Sequence, residues 1–166
     1  ATFSGAVKAL ADTLLRDPVA VQMATMAAAQ PHIRQRAIVV DEPRRTALLK
    51  HLVQQAGDER VLVFVATQYA TEHVADKLQR AGLSAAAFHG DLSQGARTAT
   101  LEDFKAGRIQ VLLATDMAAR GLHIDALPMV VNYDLPRAAE DHIHRIGRTG
   151  RAGGSGDAIS FVTPAA

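Results

Sequence analysis

The feature that most constrains this chain is a regular alternation between short apolar runs and longer segments with helical spacing. The apolar runs are rich in Val, Ile and Ala, and they occupy residues 38–40, 61–66, 85–89, 111–114, 129–133 and 158–162. Short apolar runs bounded by polar or turn-forming residues are typical of strands that are buried on both faces. Because strands alternate with helices, we predict an α/β fold with a parallel sheet covered by helices on both faces.

Capping residues, prolines and glycines predict where the intervening helices begin and end. They give four helices, with the limits Pro43 to Gly57, Thr67 to Gly82, Ser93 to Gly107, and a fourth that follows Pro136. In the fourth helix, we expect Ile143 and Ile146 to face the sheet because they are the apolar residues at helical spacing.

Length and composition set the broad class of the protein. The 166 residues suffice for one domain with a hydrophobic core, and 48% hydrophobic with 21% charged residues is typical of a globular chain. The absence of Cys excludes disulfides, Cys-based zinc sites and a Cys nucleophile. No basic leader with an apolar core opens the sequence, and no apolar run approaches the roughly 20 residues of a membrane span. We therefore expect a soluble, cytoplasmic protein without a membrane partner.

The charge balance limits how the chain could bind a polyanion. Eighteen basic residues face 17 acidic ones, so the formal net charge is +1 and any anionic partner must bind local patches. Aromatic residues make up only 4% and Trp is absent, which predicts against an RNA-binding surface built from stacking rings. If the chain binds nucleic acid, we expect it to hold the sugar-phosphate backbone.

Polar residues follow four predicted strands at the point where each strand ends. In an open parallel sheet, ligands bind outside the carboxyl ends of the strands. The polar residues at these ends are Thr67, His89, Asp91, Thr115, Asp116 and Asp134. The sequence therefore places the candidate chemistry along one edge of the sheet.

The densest of the candidate segments is 144–151, with the sequence HRIGRTGR. Arg145, Arg148 and Arg151 recur every three residues with no acid between them. The planar guanidinium matches phosphate oxygens, so this spacing suits a polyphosphate or a transferring phosphoryl group. The alternative is a solvated basic helix end, stabilised by the helix dipole. The two interleaved glycines favour the functional interpretation, because they let the backbone approach a ligand closely.

Two further segments place polar groups beside strand ends. Thr115 and Asp116 follow the run 111–114, where backbone N–H groups and a hydroxyl are available to a phosphate. For Asp116 alone, capping of the following turn is the favoured role. Ser93, in the segment 89–97, is expected to cap a helix whose N-terminus favours anions.

Several common ligand motifs are absent from the sequence. No HExxH motif or Asp-rich calcium loop occurs, and His142 and His144 would point to different faces of a helix, so no metal site is predicted. No G-x-x-x-x-G-K-[ST] loop and no G-x-G-x-x-G fingerprint occur either. The arginines are thus present without the loop that would bind the nucleotide they suit.

Five segments of the chain together resemble one protein family. The segments are 61–67 (VLVFVAT), 89–97 (HGDLSQGAR), 114–124 (ATDMAARGLHI), 131–136 (VNYDLP) and 144–151 (HRIGRTGR). In their order along the chain, they resemble the C-terminal RecA-like domain of DEAD-box ATP-dependent RNA helicases of superfamily 2 and bacterial type. The resemblance covers about residues 38–163. HRIGRTGR is the specific element, whereas VFVAT alone is a weak one.

The resemblance also divides the chain. Residues 1–21 are similar to the end of the family's N-terminal RecA-like domain, and residues 22–37 would be an interdomain linker. Residues 38–166 would then form the C-terminal RecA-like domain.

The resemblance implies an ATP site that two RecA-like domains complete together. The N-terminal domain would supply the P-loop and the acidic motif that holds Mg²⁺, so this chain alone would be inactive. Arg148 and Arg151 would reach the γ-phosphate of ATP, with Arg151 as the arginine finger, a group worth about 10³ to 10⁵ in rate in other NTPases. Asp116 and His123 would lie on the ATP side, and His123 stands where the family usually has the Asp that contacts the ribose.

The same resemblance assigns the remaining roles. His144 would link the ATP contacts to the RNA contacts, and Arg145 would support the segment structurally. The residues implied to bind the RNA backbone, independently of sequence, are Thr67, Gly90, Gln94, Arg97, Thr115, Arg120 and Gly121.

Two other functions are compatible with the residues. One is a standalone module that binds RNA or protein without a partner domain. The other is a DNA-directed helicase of superfamily 2.

Overall fold

The fold is seen in a computed structural model, which describes residues 33–120, 127–146, 148–149 and 156–164. Within these residues, six parallel strands form one sheet in the order β1-β6-β5-β2-β4-β3. The strands are β1 (Ile33–Val39), β2 (Val61–Phe64), β3 (Ala85–Phe88), β4 (Val111–Ala114), β5 (Met129–Asn132) and β6 (Gly156–Val162). The helices of the described part are α1 (Arg45–Gln55), α2 (Gln68–Arg80), α3 (Gln94–Lys105), α4 (Asp116–Ala119) and α5 (Ala139–Ile146).

Strand β2 shows why the sheet is covered on both faces. All four of its residues are buried, and successive side chains point to opposite sides. Val61 and Val63 pack with the buried residues of α1 and α2. Leu62 and Phe64 pack on the other side with α3 and α4. The predicted α/β fold with helices on both faces is therefore confirmed.

The capping residues and glycines of the sequence predict the observed ends of α2 and α3. The Ala70 N–H donates to Thr67 Oγ1 at 3.1 Å, so Thr67 caps α2 as predicted. Ser93 caps α3 in the same way, with the Ala96 N–H 3.1 Å from its Oγ. Gly82 follows α2 with a φ of 89°, a conformation that residues with a Cβ rarely adopt.

Strand β1 begins earlier than the sequence pattern predicts. The apolar run suggested a strand over 38–40, but pairing with β6 starts at Ile33 opposite Gly156. The polar residues Arg34 and Gln35 hid the strand: Arg34 is exposed at the sheet edge, whereas Gln35 is buried with a hydrogen-bond partner that lies 107 residues later. Residues 33–37 thus belong to the sheet rather than to a linker. The predicted tail over 1–21 and the linker over 22–32 lie outside the described residues.

The buried face of α5 also differs from its prediction. Ile143 is 44% exposed, whereas His142 and Arg145 are 5% and 3% exposed. The expectation that Ile143 faces the sheet is therefore wrong, because polar side chains with internal partners occupy that face instead. The side chain of Ile146 lies outside the described residues.

No helix in the described part of the chain has the length and apolar character to cross a bilayer.

Because the core packs on both faces of the sheet, we expect substitutions of buried side chains to lower the free energy of unfolding far more than substitutions of exposed ones. Leu113 is fully buried in the central strand β4. We expect Leu113→Ala to lower the free energy of unfolding by about 2 to 5 kcal/mol, because it leaves a cavity between two packed layers. Urea denaturation followed by circular dichroism measures the change.

The matched control is Met117→Ala, because Met117 is 81% exposed. Its effect should stay within about 0.5 kcal/mol. Equal losses for the two variants would contradict the assigned core.

Candidate functional site

A pocket of about 260 Å³ lies beside the carboxyl ends of β2 and β4 and against α5. Its lining contains three arginines and two aspartates: Phe64, Asp116, Ala119, Arg120, Asp141, His144, Arg145 and Arg148. Asp116, Arg120, His144 and Arg148, all predicted site residues, therefore meet around one cavity.

Arg145 is the buried member of this group. Its Nε and Nη2 donate to Oδ1 and Oδ2 of Asp116, both at 2.6 Å. Its Nη1 donates to Asn132 Oδ1 at 3.1 Å and to the Asp134 carbonyl at 2.6 Å. The guanidinium also lies 5.0 Å from the ring centroid of Phe64. With these contacts Arg145 ties α5 to the ends of three strands, which agrees with its expected supporting role.

The structure corrects the role expected of Asp116. Thr115, rather than Asp116, caps α4, since the Ala118 N–H donates to Thr115 Oγ1 at 3.3 Å. Asp116 instead supplies an acid to the arginine segment, which has none between its arginines in sequence. Both carboxylate oxygens of Asp116 bind Arg145, which lies 29 residues later in the chain.

Arg148 is held from two sides at the pocket. Its Nη2 donates to the Ala119 carbonyl at 3.0 Å, at the end of α4. Its own carbonyl accepts the Leu127 N–H at 3.0 Å, and the hydroxyl of the buried Thr149 donates to the Leu127 carbonyl. The backbone of 148–149 is thus fixed to Leu127, and the guanidinium of Arg148 is fixed against α4. Arg151 lies outside the described residues.

Asn132 connects the pocket to the interior of the sheet. It is fully buried at the end of β5, and its Oδ1 accepts the hydrogen bond from Arg145. Its Nδ2 donates to Ser160 Oγ at 3.0 Å and to His142 Nδ1 at 3.4 Å. All polar atoms of the amide are therefore used, and the amide orientation is fixed by its partners.

His142 continues this chain of contacts towards the sheet edge. Its Nε2–H donates to Gln35 Oε1 at 3.0 Å, while Nδ1 accepts from Asn132. This pattern requires the neutral ring with the proton on Nε2. Burial, and secondarily the positive charge of Arg145, lower the pKa of His142 from 6.5 to about 4. We call Gln35, His142, Asn132 and Arg145 the buried polar chain; Asp116, whose side chain is 38% exposed, ends it at the pocket.

The predicted RNA-side residues lie along the neighbouring strand ends. Thr67 and Thr115 follow β2 and β4, and their hydroxyls serve as helix caps. Gly90 is exposed after β3, and a Cβ built on it would lie 3.6 Å from Gln68 Nε2. The β3–α3 loop is tied to α2 by His89, whose Nε2 donates to Glu72 Oε1 at 3.0 Å.

Other predicted residues fall on α3 and α4 or outside the described part. Gln94 begins α3, and the Arg97 guanidinium lies 5.4 Å from the Phe88 ring centroid. Arg120 is exposed at the end of α4 and lines the pocket. Gly121 and His123 lie outside the described residues.

Asp134 has a structural role at the same edge of the sheet. Its Oδ1 accepts from Arg45 Nη1 at 2.7 Å, and its Oδ2 accepts the Ala66 N–H at 2.8 Å. The Arg45 guanidinium also lies 4.3 Å from the ring centroid of Tyr133. Asp134 therefore joins α1 to the ends of β2 and β5.

Sequence reasoning missed Asn132, Gln35 and Arg45. Asn132 could have been noticed, because an amide at the end of an otherwise apolar strand needs partners when it is buried. Nothing in the local sequence distinguishes Gln35 or Arg45 from surface residues. In the described residues, no group of three or more His, Asp or Glu side chains is arranged to hold a metal ion.

Comparison with known proteins identifies relatives of the whole chain. The family model described as the helicase conserved C-terminal domain matches residues 44–153. The chain is 43% identical over 171 residues to the ATP-dependent RNA helicase dbp3 of Schizosaccharomyces pombe, covering 99% of this chain and 29% of that protein. It is 42% identical over 162 residues to the ATP-dependent RNA helicase RhlB of Pseudomonas syringae pv. tomato, covering 98% of this chain and 41% of that protein.

A solved structure agrees with these relatives. The crystal structure of a DEAD box protein from Methanococcus jannaschii matches with a TM-score of 0.74 and 41% identity, over 80% of this chain and 36% of that one. This likeness confirms the predicted RecA-like fold. The chain spans less than half the length of each of these matched proteins. The relatives include bacterial and eukaryotic helicases, so the bacterial type stays a prediction.

The contacts of Arg145 predict a strong effect on stability. Arg145→Ala leaves the buried Asn132 Oδ1 without its donor and removes the ion-pair partner of Asp116, whose side chain is 38% exposed. We expect the free energy of unfolding to fall by about 2 to 4 kcal/mol, because a buried acceptor is left unpaired and the other contacts of a buried guanidinium are lost. Chemical denaturation of the chain measures the loss.

Arg80→Ala is the matched control, because the Arg80 side chain is 79% exposed and its ion-pair partner among the described residues is Asp76 on the same helix. It should cost at most about 1 kcal/mol. A similarly small loss for Arg145→Ala would contradict the anchoring role.

The lowered pKa of His142 predicts a pH dependence of stability. The unfolded chain protonates His142 near pH 6.5, whereas the folded chain resists protonation down to about pH 4. The stability that depends on neutral His142 is therefore fully present above pH 6.5 and is lost as the pH falls towards 4, by about 3 kcal/mol in total.

The comparison variant is His142→Gln, which cannot titrate. The unfolding free energy of both proteins is measured between pH 8 and pH 4, and the difference between them should narrow on acidification. Parallel curves would show that His142 does not contribute this dependence.

Proposed function

We propose that this chain, which belongs to the family of the conserved C-terminal helicase domain, forms the second RecA-like domain of an ATP-dependent RNA helicase. In this proposal it completes the ATP site with arginines and binds the sugar-phosphate backbone of RNA, so that the whole protein unwinds or remodels RNA duplexes. The observation that carries the proposal is the meeting of Arg120, His144 and Arg148 around one pocket at the sheet edge.

The charge of the pocket supports a site that two domains share. Arg145 and Asp116 neutralise each other. The other charged lining residues are Arg120 and Arg148, which are positive, and Asp141, which is negative, while the histidine is counted as neutral. This excess of one positive charge is too small to balance a triphosphate by itself. The other RecA-like domain would therefore supply the P-loop and the carboxylates for Mg²⁺.

The proposed catalytic role falls on the arginines that follow Arg145. Arg148 and Arg151 would contact the γ-phosphate, and Arg151 would stabilise the charge that develops on the transferring phosphoryl group. Arg148 suits this role because its hydrogen bond to the Ala119 carbonyl orients the guanidinium. His144 would connect the ATP and RNA contacts. Asp116 would act on the ATP side by holding Arg145.

The ribose contact is a separate part of the proposal. His123 would take the position of the usual Asp, and its ring nitrogen can donate or accept one hydrogen bond.

The RNA contacts are proposed along the ends of β2, β3 and β4. Backbone N–H groups at helix N-termini, hydroxyls and guanidinium groups all suit phosphate oxygens. The residues proposed to contact the RNA backbone are Thr67, Gly90, Gln94, Arg97, Thr115, Arg120 and Gly121. Because phosphates carry no base identity, binding should be independent of sequence and should weaken with added salt.

The alternatives gain no support from the relatives. A standalone binding module and a DNA-directed helicase are not favoured, since the matched relatives are named ATP-dependent RNA helicases. A cytoplasmic location stays a prediction.

The proposal predicts that activity needs both domains and Arg151. The chain alone should not hydrolyse ATP, whereas the two-domain protein should hydrolyse ATP when RNA is present. We expect Arg151→Ala to lower this RNA-stimulated turnover by about 10³-fold or more, because the transferring phosphoryl group then loses the arginine finger that stabilises its developing charge. A phosphate-release assay measures the rates.

Arg80→Ala in the two-domain protein serves as the control for loss of an exposed arginine on another helix. It should leave turnover unchanged. Unchanged turnover for Arg151→Ala would overturn the finger assignment, and turnover by the chain alone would overturn the shared site.

A further inference from the structure

One aromatic side chain in the described residues differs from all others by its exposure. Tyr69 is 76% exposed on α2. The remaining aromatic residues that the structure describes are buried in or beside the core: Phe64, Phe88, Phe104, Tyr133 and Phe161. An exposed ring offers a flat π-face on which a nucleobase can stack.

Tyr69 does not stand alone on the helix surface. His73, one turn later, stacks on it with ring centroids 5.4 Å apart and an interplanar angle of 13°. The stack engages one face of the Tyr69 ring, and the high exposure of Tyr69 leaves the rest of the ring open to a further partner. We call these two residues the Tyr69–His73 platform.

The platform lies beside the proposed RNA contacts. Tyr69 is in the first turn of α2, two residues after the cap Thr67. Gln68 of the same turn approaches Gly90 at 3.6 Å, measured to a Cβ built on the glycine. Glu72, in the following turn, accepts the hydrogen bond from His89 at 3.0 Å. The first turns of α2 and the β3–α3 loop therefore form one continuous surface.

We propose that the Tyr69–His73 platform stacks against a base of the RNA strand whose phosphates bind at Thr67 and Gly90. This inference rests on the proposed function and adds a base contact to a site otherwise made for phosphates. A flat ring offers the π-face that every base can cover, so the contact is tolerant of sequence. The low aromatic content predicted against a surface built from stacking rings, but a single platform needs only two residues.

The test compares two proteins on two RNAs. The full chain and its Tyr69→Ala variant are titrated, at low salt, with a labelled single strand of about ten nucleotides and with an abasic strand of the same length. Tyr69→Ala should bind the normal strand about tenfold more weakly, because base stacking is lost. It should bind the abasic strand as the unaltered chain does. Tyr69→Phe, which keeps the ring, should stay within about twofold of the unaltered chain.

Tyrosine emission gives an independent reading. The chain has no Trp and two Tyr residues, and Tyr133 is only 6% exposed. Quenching of tyrosine emission by the normal strand, but not by the abasic one, would support stacking on Tyr69.

Arg97→Ala separates failure of this inference from failure of the proposed function. If Arg97→Ala weakens the binding of both strands while Tyr69→Ala changes the binding of neither, the base contact is overturned. A protein partner is then the alternative ligand for the exposed rings. If the unaltered chain binds neither strand, the RNA function is overturned together with the platform.

Discussion

The ion pair between Arg145 and Asp116 is the interaction on which the candidate site depends. It joins α5, which carries Arg145, to the start of α4 after β4, and the remaining donor of Arg145 reaches the end of β5. A guanidinium that is 3% exposed cannot bind a ligand in solvent, so Arg145 acts as an anchor. Its fixed position helps to place Arg148, which lies three residues later, beyond the end of α5, and donates its N–H to the Arg145 carbonyl at 3.3 Å.

Burying this charge requires the buried polar chain. Asn132 accepts from Arg145 and donates to His142, which in turn donates to Gln35 on the edge strand β1. If His142 were protonated, its Nδ1 could no longer accept the hydrogen bond from Asn132, and the ring would be repelled by the positive charge of Arg145. Burial and this repulsion keep the ring neutral. The network thus links the outer edge of the sheet to the pocket through hydrogen bonds that all need their partners.

Local chemistry made most of the fold predictable from sequence, whereas long-range pairing did not. Thr67 and Ser93 were identified as caps because a cap depends on residues three positions away. The role of Asp116 was misjudged because its partner lies 29 residues further on. The prediction that Ile143 faces the sheet is wrong because it rests on apolar spacing alone. That spacing does not show that His142 and Arg145 are buried with polar partners.

The central claim is that Arg145 and Asp116 act as one unit that fixes α5 on the sheet edge. A double-mutant cycle with Arg145→Gln and Asp116→Asn, measured by chemical denaturation, tests it most directly. The account predicts a coupling of about 1 to 3 kcal/mol in the free energy of unfolding, because Asp116→Asn leaves the buried charge of Arg145 without its counter-ion and Arg145→Gln removes the partner of the partly exposed Asp116. Losses that add to within about 0.5 kcal/mol would show that the two side chains act independently and would contradict the account.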